Sequence, residues 1–294
     1  MVRQVGSGSV GRVSGLLSAT RVGDDPAGYI ARHGTVVATF DHRSQDSGNL
    51  SWVVETGNRR LFVKTAGADE SPEPGGRIPY FDHGGRVALL RNAVELARSV
   101  DHPVLPRLLN VLESPWGPML VYEAAPGELV GVHRDSRADP DSAYQRFARL
   151  PAEPLLRIFD QLIDLHVALA AAGWLAVDLY DGCLIVDFAT GRLAVVDLDT
   201  YRRGPSINDM GRMFGSTRFM APEELQLGAP IDQRTTVFTL GRLIWHFGAR
   251  LTERRENFCG PAALAEVVQQ AIRPSRDERP ATVAELADAW RRTR

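Results

Sequence analysis

Cysteine is nearly absent from this sequence of 294 residues, which has only Cys183 and Cys259. Two cysteines cannot build a disulfide framework or a cysteine-rich zinc site, and both fit a reducing compartment. An excess of charge of one sign is also missing, since 34 basic and 36 acidic side chains leave a formal net charge of −2. This balance argues against a nucleic-acid or membrane surface as the main partner. We therefore expect a cytoplasmic protein that binds neither.

Long hydrophobic runs are missing as well. The longest, VALAAAGWLAV at 167–177, is too short to span a bilayer. The N-terminus also lacks the apolar core of a signal peptide. The 44% of residues that are hydrophobic are nevertheless enough for one large or two small domains with real cores.

A glycine-rich stretch, GSGSVGRV at 6–13, matches the pattern G-x-G-x-x-G-x-V, which is typical of loops that lie over nucleotide phosphates. Such a loop follows one strand, and a phosphate-binding lysine stands on the third strand. Only MVRQV precedes the first glycine, and Lys64 lies 51 positions after Val13, whereas two strands and a turn need roughly 15. The context argues against a phosphate loop here, and residues 1–33 are predicted to form a flexible N-terminal tail.

Strand-like runs dominate the next part of the chain. TVVATF, LSWVVET and RLFVKTA are short β-branched and aromatic runs separated by turn residues. A helical run at 86–100 and two further strand-like runs follow, and after PGE at 126–128 the pattern becomes mainly helical. This order predicts an α+β protein with two lobes. Residues 34–123 form a small antiparallel β lobe with one helix, and residues 124–294 form a larger, mainly helical lobe.

The order of the polar signals adds a resemblance. A lysine closes the third strand, one aspartate stands in a short loop, another follows a strand pair, and an APE triplet comes later. In this order the chain resembles the eukaryotic-like serine/threonine protein kinase family over roughly residues 34–290. The strongest segment, GSTRFMAPEE at 215–224, is similar to that family's G-T-x-x-Y-x-A-P-E. The resemblance implies a two-lobed protein-kinase-like fold.

The resemblance implies ATP-binding residues in the first lobe. Lys64 matches the strand lysine that pairs with ATP phosphates. The phosphate-covering loop is then expected at 43–49, where Gly48 and Asn49 provide a short turn; the alternative is an ordinary hairpin turn. At the family's helix glutamate this sequence has Ala93, and Glu95 is expected to be solvated.

The segment LVYEAAPGEL at 120–129 resembles the hinge of the family. Backbone groups near Glu123 and Ala125 are expected to meet the adenine edge. Glu128 is expected either to reach a ribose hydroxyl or a cation of the substrate, or to be solvated.

The segment AVDLYDGCLIV at 176–186 resembles the catalytic loop of the family. Asp178 matches the aspartate that orients the acceptor hydroxyl and takes its proton. Asp197 matches the metal-binding aspartate, with Asp199 as a second carboxylate or a turn residue. Cys183 stands at the position of the metal-binding asparagine, and Asp181 or Asp187 is expected as a substitute ligand, because Mg²⁺ prefers oxygen to sulfur.

Five further positions complete the implied site. Ser216 matches the threonine that contacts the catalytic aspartate. Glu223 and Arg279 match a buried structural ion pair. Val177 replaces the arginine that reads a phosphorylated activation segment, so we expect activity without such phosphorylation. Tyr180 replaces the phosphate-contacting lysine of the family.

The resemblance implies an ATP- and Mg²⁺-dependent phosphotransferase, because Lys64, Asp178 and Asp197 are the minimum set for this chemistry. The expected acceptor is a serine or threonine hydroxyl of a protein. The alternatives are a small-molecule hydroxyl acceptor and a catalytically weak ATP-binding pseudokinase scaffold.

Overall fold

This computed structural model describes residues 15–41, 47–69 and 80–294. The chain divides into two compact units: unit 1 spans Met1–Arg98 and Pro106–Ala124, and unit 2 spans Ser99–Leu105 and Ala125–Arg294. Within the described ranges the protein is α+β, as the sequence predicts, with a five-stranded antiparallel sheet and eight α-helices. None of the helices in these ranges is long and apolar enough to cross a membrane.

Unit 1 is built around the five-stranded sheet, whose strand order is β1-β2-β3-β5-β4 with every neighbouring pair antiparallel. The predicted strand runs form these strands: β1 Thr35–Phe40, β2 Leu50–Thr56, β3 Arg59–Thr65, β4 Leu108–Ser114 and β5 Gly117–Glu123. The helical run forms α3 (His83–Ser99), whose buried side chains pack with Ala66 and Leu120 of the sheet region.

Residues 15–33 are folded against the sheet, which corrects the expectation of a flexible tail over this range. They form α1 (15–18) and α2 (Pro26–His33). Leu16, Val22 and Ile30 are almost fully buried in one apolar cluster with Trp52, Val63 and other sheet residues. These apolar side chains are widely spaced among Gly, Ser and Arg, so they show little periodicity, and burial on the sheet decides their structure. The glycine-rich stretch 6–13 lies outside the described residues.

The N-terminal residues are also tied to the sheet edge by hydrogen bonds. Val22 N donates to Glu113 O at 2.8 Å, and Glu113 N donates to Thr20 O at 2.9 Å. The side-chain amide of Asn110 donates to the carbonyl oxygens of Leu16 and Ala19 at 3.0 and 2.9 Å. The segment therefore covers β4, which would otherwise present an open edge.

Unit 2 is mainly helical. Its helices are α4 Ala143–Ala148, α5 Ala152–Ala171, α6 Gln233–Gly248, α7 Ala262–Ala271 and α8 Val283–Thr293. The predicted cap of α8 is present, because Thr282 Oγ1 accepts from Glu285 N at 3.1 Å. Helix α6 is buried along nearly its whole length and packs with α4, α5, α7 and α8.

Short strands in unit 2 position the loops between the helices. Strands β6 (Glu128–Leu129), β8 (Leu184–Asp187) and β9 (Arg192–Val195) form a three-stranded sheet. Strand β7 (Trp174–Leu175) pairs with β10 (Arg202–Arg203), and β11 (Ser206–Ile207) pairs with β12 (Pro230–Ile231). The β8–β9 hairpin and the β7–β10 pair bring residues 176–183 and 196–201 together.

Candidate functional site

Lys64, near the end of β3, is the candidate residue of unit 1. The residue is 6% exposed. It pairs with Ser51 of β2 and with Leu120 of β5. Because side chains alternate along a strand, Lys64 shares a sheet face with Leu120, the face on which α3 packs. Lys64 is also the only lysine in a sequence with 33 arginines. Both side chains are cationic, so this position favours the compact ammonium group over the guanidinium fork.

Helix α3 is tied to the end of β3 by Arg86, while Ala93 stands where the resemblance implies a glutamate. Ala93 is buried and Glu95 is exposed, as expected. Arg86, which is 6% exposed, donates from Nε to Ala66 O at 2.7 Å and from Nη2 to Ala68 O at 3.2 Å. This contact could not be predicted from the sequence, because an arginine on a helix is usually solvated.

The turn before β2 is described from Ser47 onward, so residues 43–46 of the predicted phosphate loop lie outside the described residues. Gly48 has φ 77°, a left-handed conformation that glycine adopts at little cost. Asn49 N donates to Ser47 Oγ at 3.3 Å, which makes 47–49 a tight turn. A phosphate contact by this turn stays a prediction.

The hinge-like residues are placed as follows. Glu123 ends β5, and its carboxylate lies 3.5 Å from the guanidinium of Arg107. Ala125 is half-buried. The carboxylate of Glu128 accepts two hydrogen bonds from Arg146 Nη1, at 2.9 and 2.8 Å. Glu128 is thus paired with Arg146. The sequence predicted that Glu128 contacts a ribose hydroxyl, a substrate cation or water.

Asp178 lies in the loop after β7 with φ 64°. This left-handed conformation is uncommon for a residue with a side chain, and strained backbone costs on the order of 1–3 kcal/mol. It persists only where surrounding contacts fix it. Three side chains hold the loop backbone: Thr200 Oγ1 donates to Val177 O at 2.9 Å, Cys183 Sγ donates to Asp178 O at 3.4 Å, and Thr236 Oγ1 accepts from Ala176 N at 3.0 Å.

Asp197 follows β9 and is the second aspartate of unit 2 with a left-handed backbone, at φ 61°. The register of the hairpin pairs Val195 with Leu184, and Val196 N donates to Cys183 O at 2.9 Å. These contacts place the start of the Asp197 segment beside the end of the loop that carries Asp178. Asp197 is exposed.

Both aspartates lie close enough to Tyr180 to act on its phenol. Burial raises the pKa of Tyr180, and neighbouring Cys183 and the carboxylates of Asp197 and Asp178 raise it further. The ring packs directly over Gly182, where any Cβ would overlap it. Tyr180 is therefore a neutral side chain, and the lysine that the resemblance implies is absent from this position.

Asp199 is 7% exposed. Its two predicted roles, as a second metal-binding carboxylate or as a turn residue, both stay predictions. Cys183 is fully buried, and burial raises the pKa of its thiol, so its neutral sulfur is a poor Mg²⁺ ligand. Both carboxylate oxygens of Asp181 accept from Arg218 Nη2 at 2.8 Å. Asp181 is thus an ion-pair partner of Arg218, and its assignment as a substitute metal ligand stays a prediction.

A dedicated metal cluster is not visible in the described parts of the chain, where no three His, Cys, Asp or Glu side chains converge. Mg²⁺ bound with a nucleotide needs only one or two protein carboxylates, since phosphates and water supply the other oxygens. Asp197 and Asp199 match this donor chemistry, and Cys183 does not.

The segment GSTRFMAPEE passes directly against Asp178. A Cβ at Gly215, whose φ is 128°, would lie 3.3 Å from Asp178 Oδ1. Gly215 therefore lies close to the carboxylate of Asp178. The sequence predicted a contact with Asp178 for the next residue, Ser216. The carbonyl oxygen of Ser216 accepts from Phe219 N at 2.9 Å, which turns the chain toward the APE triplet.

Glu223 and Arg279 form the expected buried ion pair, at 2.7 Å, with side-chain exposures of 3% and 0%. Arg276, which the sequence did not single out, donates to the same carboxylate at 3.0 Å and to Asp232 at 2.7 Å. The next residue, Glu224, is also buried, and burial raises its pKa to about 8. Its Oε2 accepts from Ala221 N at 2.7 Å.

Asn208 is a fully buried residue that sequence reasoning missed, because a lone asparagine in a polar loop carries no pattern. Its amide nitrogen donates to Gly211 O at 2.7 Å and to Glu223 O at 3.0 Å. Its side-chain oxygen accepts from the backbone N–H groups of Met210 and Gly211, both at 3.0 Å. All its side-chain hydrogen-bonding capacity is used to hold the segment between Asp197 and Glu223.

Comparison with known proteins adds no relative: a scan against protein-family models gives no match, and a search of curated proteins gives none either.

Proposed function

We propose that this chain is an ATP-dependent phosphotransferase with a two-lobed, protein-kinase-like fold, and that it transfers the γ-phosphoryl group to a serine or threonine hydroxyl of a protein. One observation carries the proposal. Asp178 and Asp197, the two aspartates that the resemblance assigns to acceptor and metal, both have left-handed backbones, and the carboxylates of both raise the pKa of Tyr180. Such conformations are concentrated at functional sites.

Lys64 neutralises ATP phosphates in this proposal. Lys64 stands on β3 at the position that the resemblance gives to the phosphate-binding lysine, and its ammonium group suits phosphate oxygens. The composition supports the assignment, since the remaining 33 cationic side chains of the Lys and Arg class are all arginine. The turn at Gly48 and Asn49 covers the phosphates, and backbone groups near Glu123 and Ala125 meet the adenine.

Asp197 holds Mg²⁺ in this proposal, with Asp199 as the second carboxylate. When bound, the ion neutralises the charge that develops on the transferred phosphoryl group. Asp197 is exposed, so its oxygens are accessible to an ion that keeps water and phosphate ligands. Cys183 takes no part in metal binding and instead holds the backbone of Asp178.

Asp178 orients the acceptor hydroxyl and accepts its proton. The carboxylate lies against Gly215. In this proposal the acceptor protein therefore docks on the stretch 215–224. A general base of this kind contributes by position first and by pKa second. The backbone contacts that fix residues 176–178 serve that position.

The test is phosphoryl transfer from γ-labelled ATP with Mg²⁺, offered the protein itself, a generic basic protein and a pool of metabolites. We expect label on protein serine or threonine. The matched control is Asp178→Asn, which keeps the size of the side chain and removes the carboxylate. We expect it to lose at least about a hundredfold in turnover, in the range found for proton-transfer residues.

The other outcomes of this assay are distinct. Label on a metabolite alone would replace the protein acceptor by a small-molecule hydroxyl. ATP binding without transfer would leave a pseudokinase scaffold. Turnover in Asp178→Asn equal to that of the wild type would contradict the site itself.

A further inference from the structure

Asp181 and Arg218 form an ion pair between two segments of the proposed site. Asp181 begins a 3-10 turn, Asp181–Cys183, in the loop that carries Asp178. Arg218 lies in the stretch 215–224, three residues after Gly215. The side chain of Asp181 is 2% exposed and that of Arg218 is 24% exposed. Because the carboxylate is buried, it needs this cation; a buried charge without a partner is strongly unfavourable.

Arg218 is itself fixed by a directional chain of hydrogen bonds. His246 Nδ1 lies 2.8 Å from Glu253 Oε1, so Nδ1 carries the proton and Nε2 accepts. Nε2 lies 2.6 Å from the Tyr144 hydroxyl, which therefore donates to it. The lone pairs of that hydroxyl are left for Arg218 Nη1, at 3.5 Å. Burial lowers the pKa of His246, which is consistent with a neutral imidazole in this chain.

The turn that carries Glu253, the last residue of this series of hydrogen bonds, has a strained backbone. Arg250, Leu251 and Glu253 all have left-handed backbones, with φ between 57° and 61°. Bulky residues rarely adopt this conformation, so contacts must enforce it. Arg250 Nη1 donates to the carbonyl oxygens of Ala148 and Leu150, both at 2.6 Å. This strained turn presents Glu253 to His246.

We infer that Arg218 is a positioning residue: it fixes Asp181, and through Asp181 the loop that orients Asp178, while Tyr144, His246 and Glu253 fix Arg218. The inference rests on the proposed phosphotransferase function for its catalytic consequence. Its structural part, the ordering of the loop by Arg218, stands independently of that function. The guanidinium of Arg218 is engaged by Asp181, so we expect its removal to act on the turnover number and to leave nucleotide affinity unchanged.

The first measurement is amide hydrogen exchange of the full chain without nucleotide. Arg218→Met keeps the stem of the side chain and removes the charge and donors. Its matched control is Arg255→Met, because Arg255 makes an ion pair of similar length with Glu266, 2.7 Å, on the exposed surface. We expect faster exchange in residues 176–184 for Arg218→Met only. Unchanged exchange there in a folded Arg218→Met protein would overturn the inference.

The second measurement is kinetic. We expect Arg218→Met to lower the turnover number by about tenfold or more, equivalent to about 1.4 kcal/mol in the barrier, with the Kd for Mg·ATP within about twofold of the wild type. Tyr144→Phe, which removes only the hydroxyl, is expected to give a smaller loss in the same direction. An equal loss in ATP affinity, or none in turnover, would contradict a positioning role.

A charge exchange keeps the test decisive if Arg218→Met does not fold. The double variant Asp181→Arg with Arg218→Asp restores an ion pair in reverse, and we expect it to recover part of the exchange protection lost in Asp181→Arg alone. Absence of recovery, with both proteins folded, would count against pairing as the cause. If the wild type transfers no phosphate, the proposed function fails, and the exchange measurements still decide the role of Arg218.

Discussion

The carbonyl oxygen of Ala66 accepts a 2.7 Å hydrogen bond from Arg86 Nε, and this bond ties helix α3 to the residue just after strand β3. Arg86 also donates to Phe81 O at 3.0 Å and to Ala68 O at 3.2 Å. One buried side chain thus holds three backbone carbonyls close to the strand that carries Lys64.

Arg86→Met is expected to destabilise the protein by about 2–4 kcal/mol, because it leaves these buried carbonyl groups without a partner. Urea unfolding measures the change through the shift in midpoint. The control is Arg91→Met on the same helix, where the ion pair with Glu113 has side-chain exposures of 57% and 45%. That loss should be below about 1 kcal/mol. Equal effects of the two substitutions would show that the carbonyl contacts do not matter.

The N-terminal segment provides a second prediction. Ile30 is fully buried against the sheet, whereas Val37 on β1 is 43% exposed. Ile30→Ala should cost about 2–5 kcal/mol, the usual range for a core truncation, and Val37→Ala should cost less than about 1 kcal/mol. Thermal or urea unfolding compares them. A stability loss no greater for Ile30→Ala than for Val37→Ala would contradict the packing of residues 15–33 against the sheet.

Glu224 gives a prediction about pH. Its pKa rises from 4.5 in the unfolded chain to about 8 when folded, mainly through burial. The folded state therefore binds the proton more tightly, and the resulting stability is full below the unfolded pKa and is lost as pH rises through 8. Between about pH 6 and pH 8.5 the wild type should lose about 3 kcal/mol from this group.

Glu224→Gln is neutral at every pH and should remove this loss. Urea unfolding at the two pH values measures it, with Glu278→Gln, an exposed glutamate, as the matched control. The account of a buried, protonated Glu224 fails if Glu224→Gln keeps the full pH dependence of the wild type.

Activity is expected not to depend on phosphorylation of the segment after Asp197. Asn208 already holds this segment through four side-chain hydrogen bonds, and Val177 cannot pair with a phosphate. Phosphatase treatment, with removal verified by mass spectrometry, should leave turnover unchanged. A large fall that rephosphorylation reverses would refute this. The hydroxyl residues at issue are Thr200, Ser206, Ser216 and Thr217.

Asn208→Asp tests the contact itself. It replaces the donors to Gly211 and Glu223 by a carboxylate oxygen that faces carbonyl oxygens, so we expect a loss of about 2–3 kcal/mol. Asn257→Asp is the control, because Asn257 is exposed and its side-chain amide donates to Thr252 Oγ1 at 2.9 Å. Similar exchange rates of residues 206–229 in the two variants would contradict the role of Asn208.

The sequence predicted the fold class because its signals are local. β-Branched and aromatic runs such as LSWVVET and the cap of α8 at Thr282 are set by neighbours in the chain, and the structure contains the strand and the cap. Residues 15–33 could not be placed in this way. Leu16 and Ile30 gain their burial from strands far along the chain, and nothing nearby in sequence marks that contact.

The site shows the same division. Motif order led to Lys64, Asp178 and Asp197, but the partners of the site residues are long-range. Arg218 forms an ion pair with Asp181, which the motif alone predicted as a metal ligand. Arg86 donates to backbone carbonyls from a helix position that usually faces solvent. Such contacts depend on how loops meet in three dimensions, so a single sequence does not reveal them.

The central claim, a nucleotide phosphate at Lys64, has a direct test because this is the only lysine of the chain. An acyl phosphate of ATP transfers its acyl group to a lysine amine that lies beside the bound phosphates. We expect acylation of Lys64, found by peptide mass spectrometry, to be suppressed by excess Mg·ATP, with no labelling at this position in Lys64→Arg. Acylation that excess Mg·ATP does not reduce, or a wild-type protein left unlabelled at Lys64, would contradict the account.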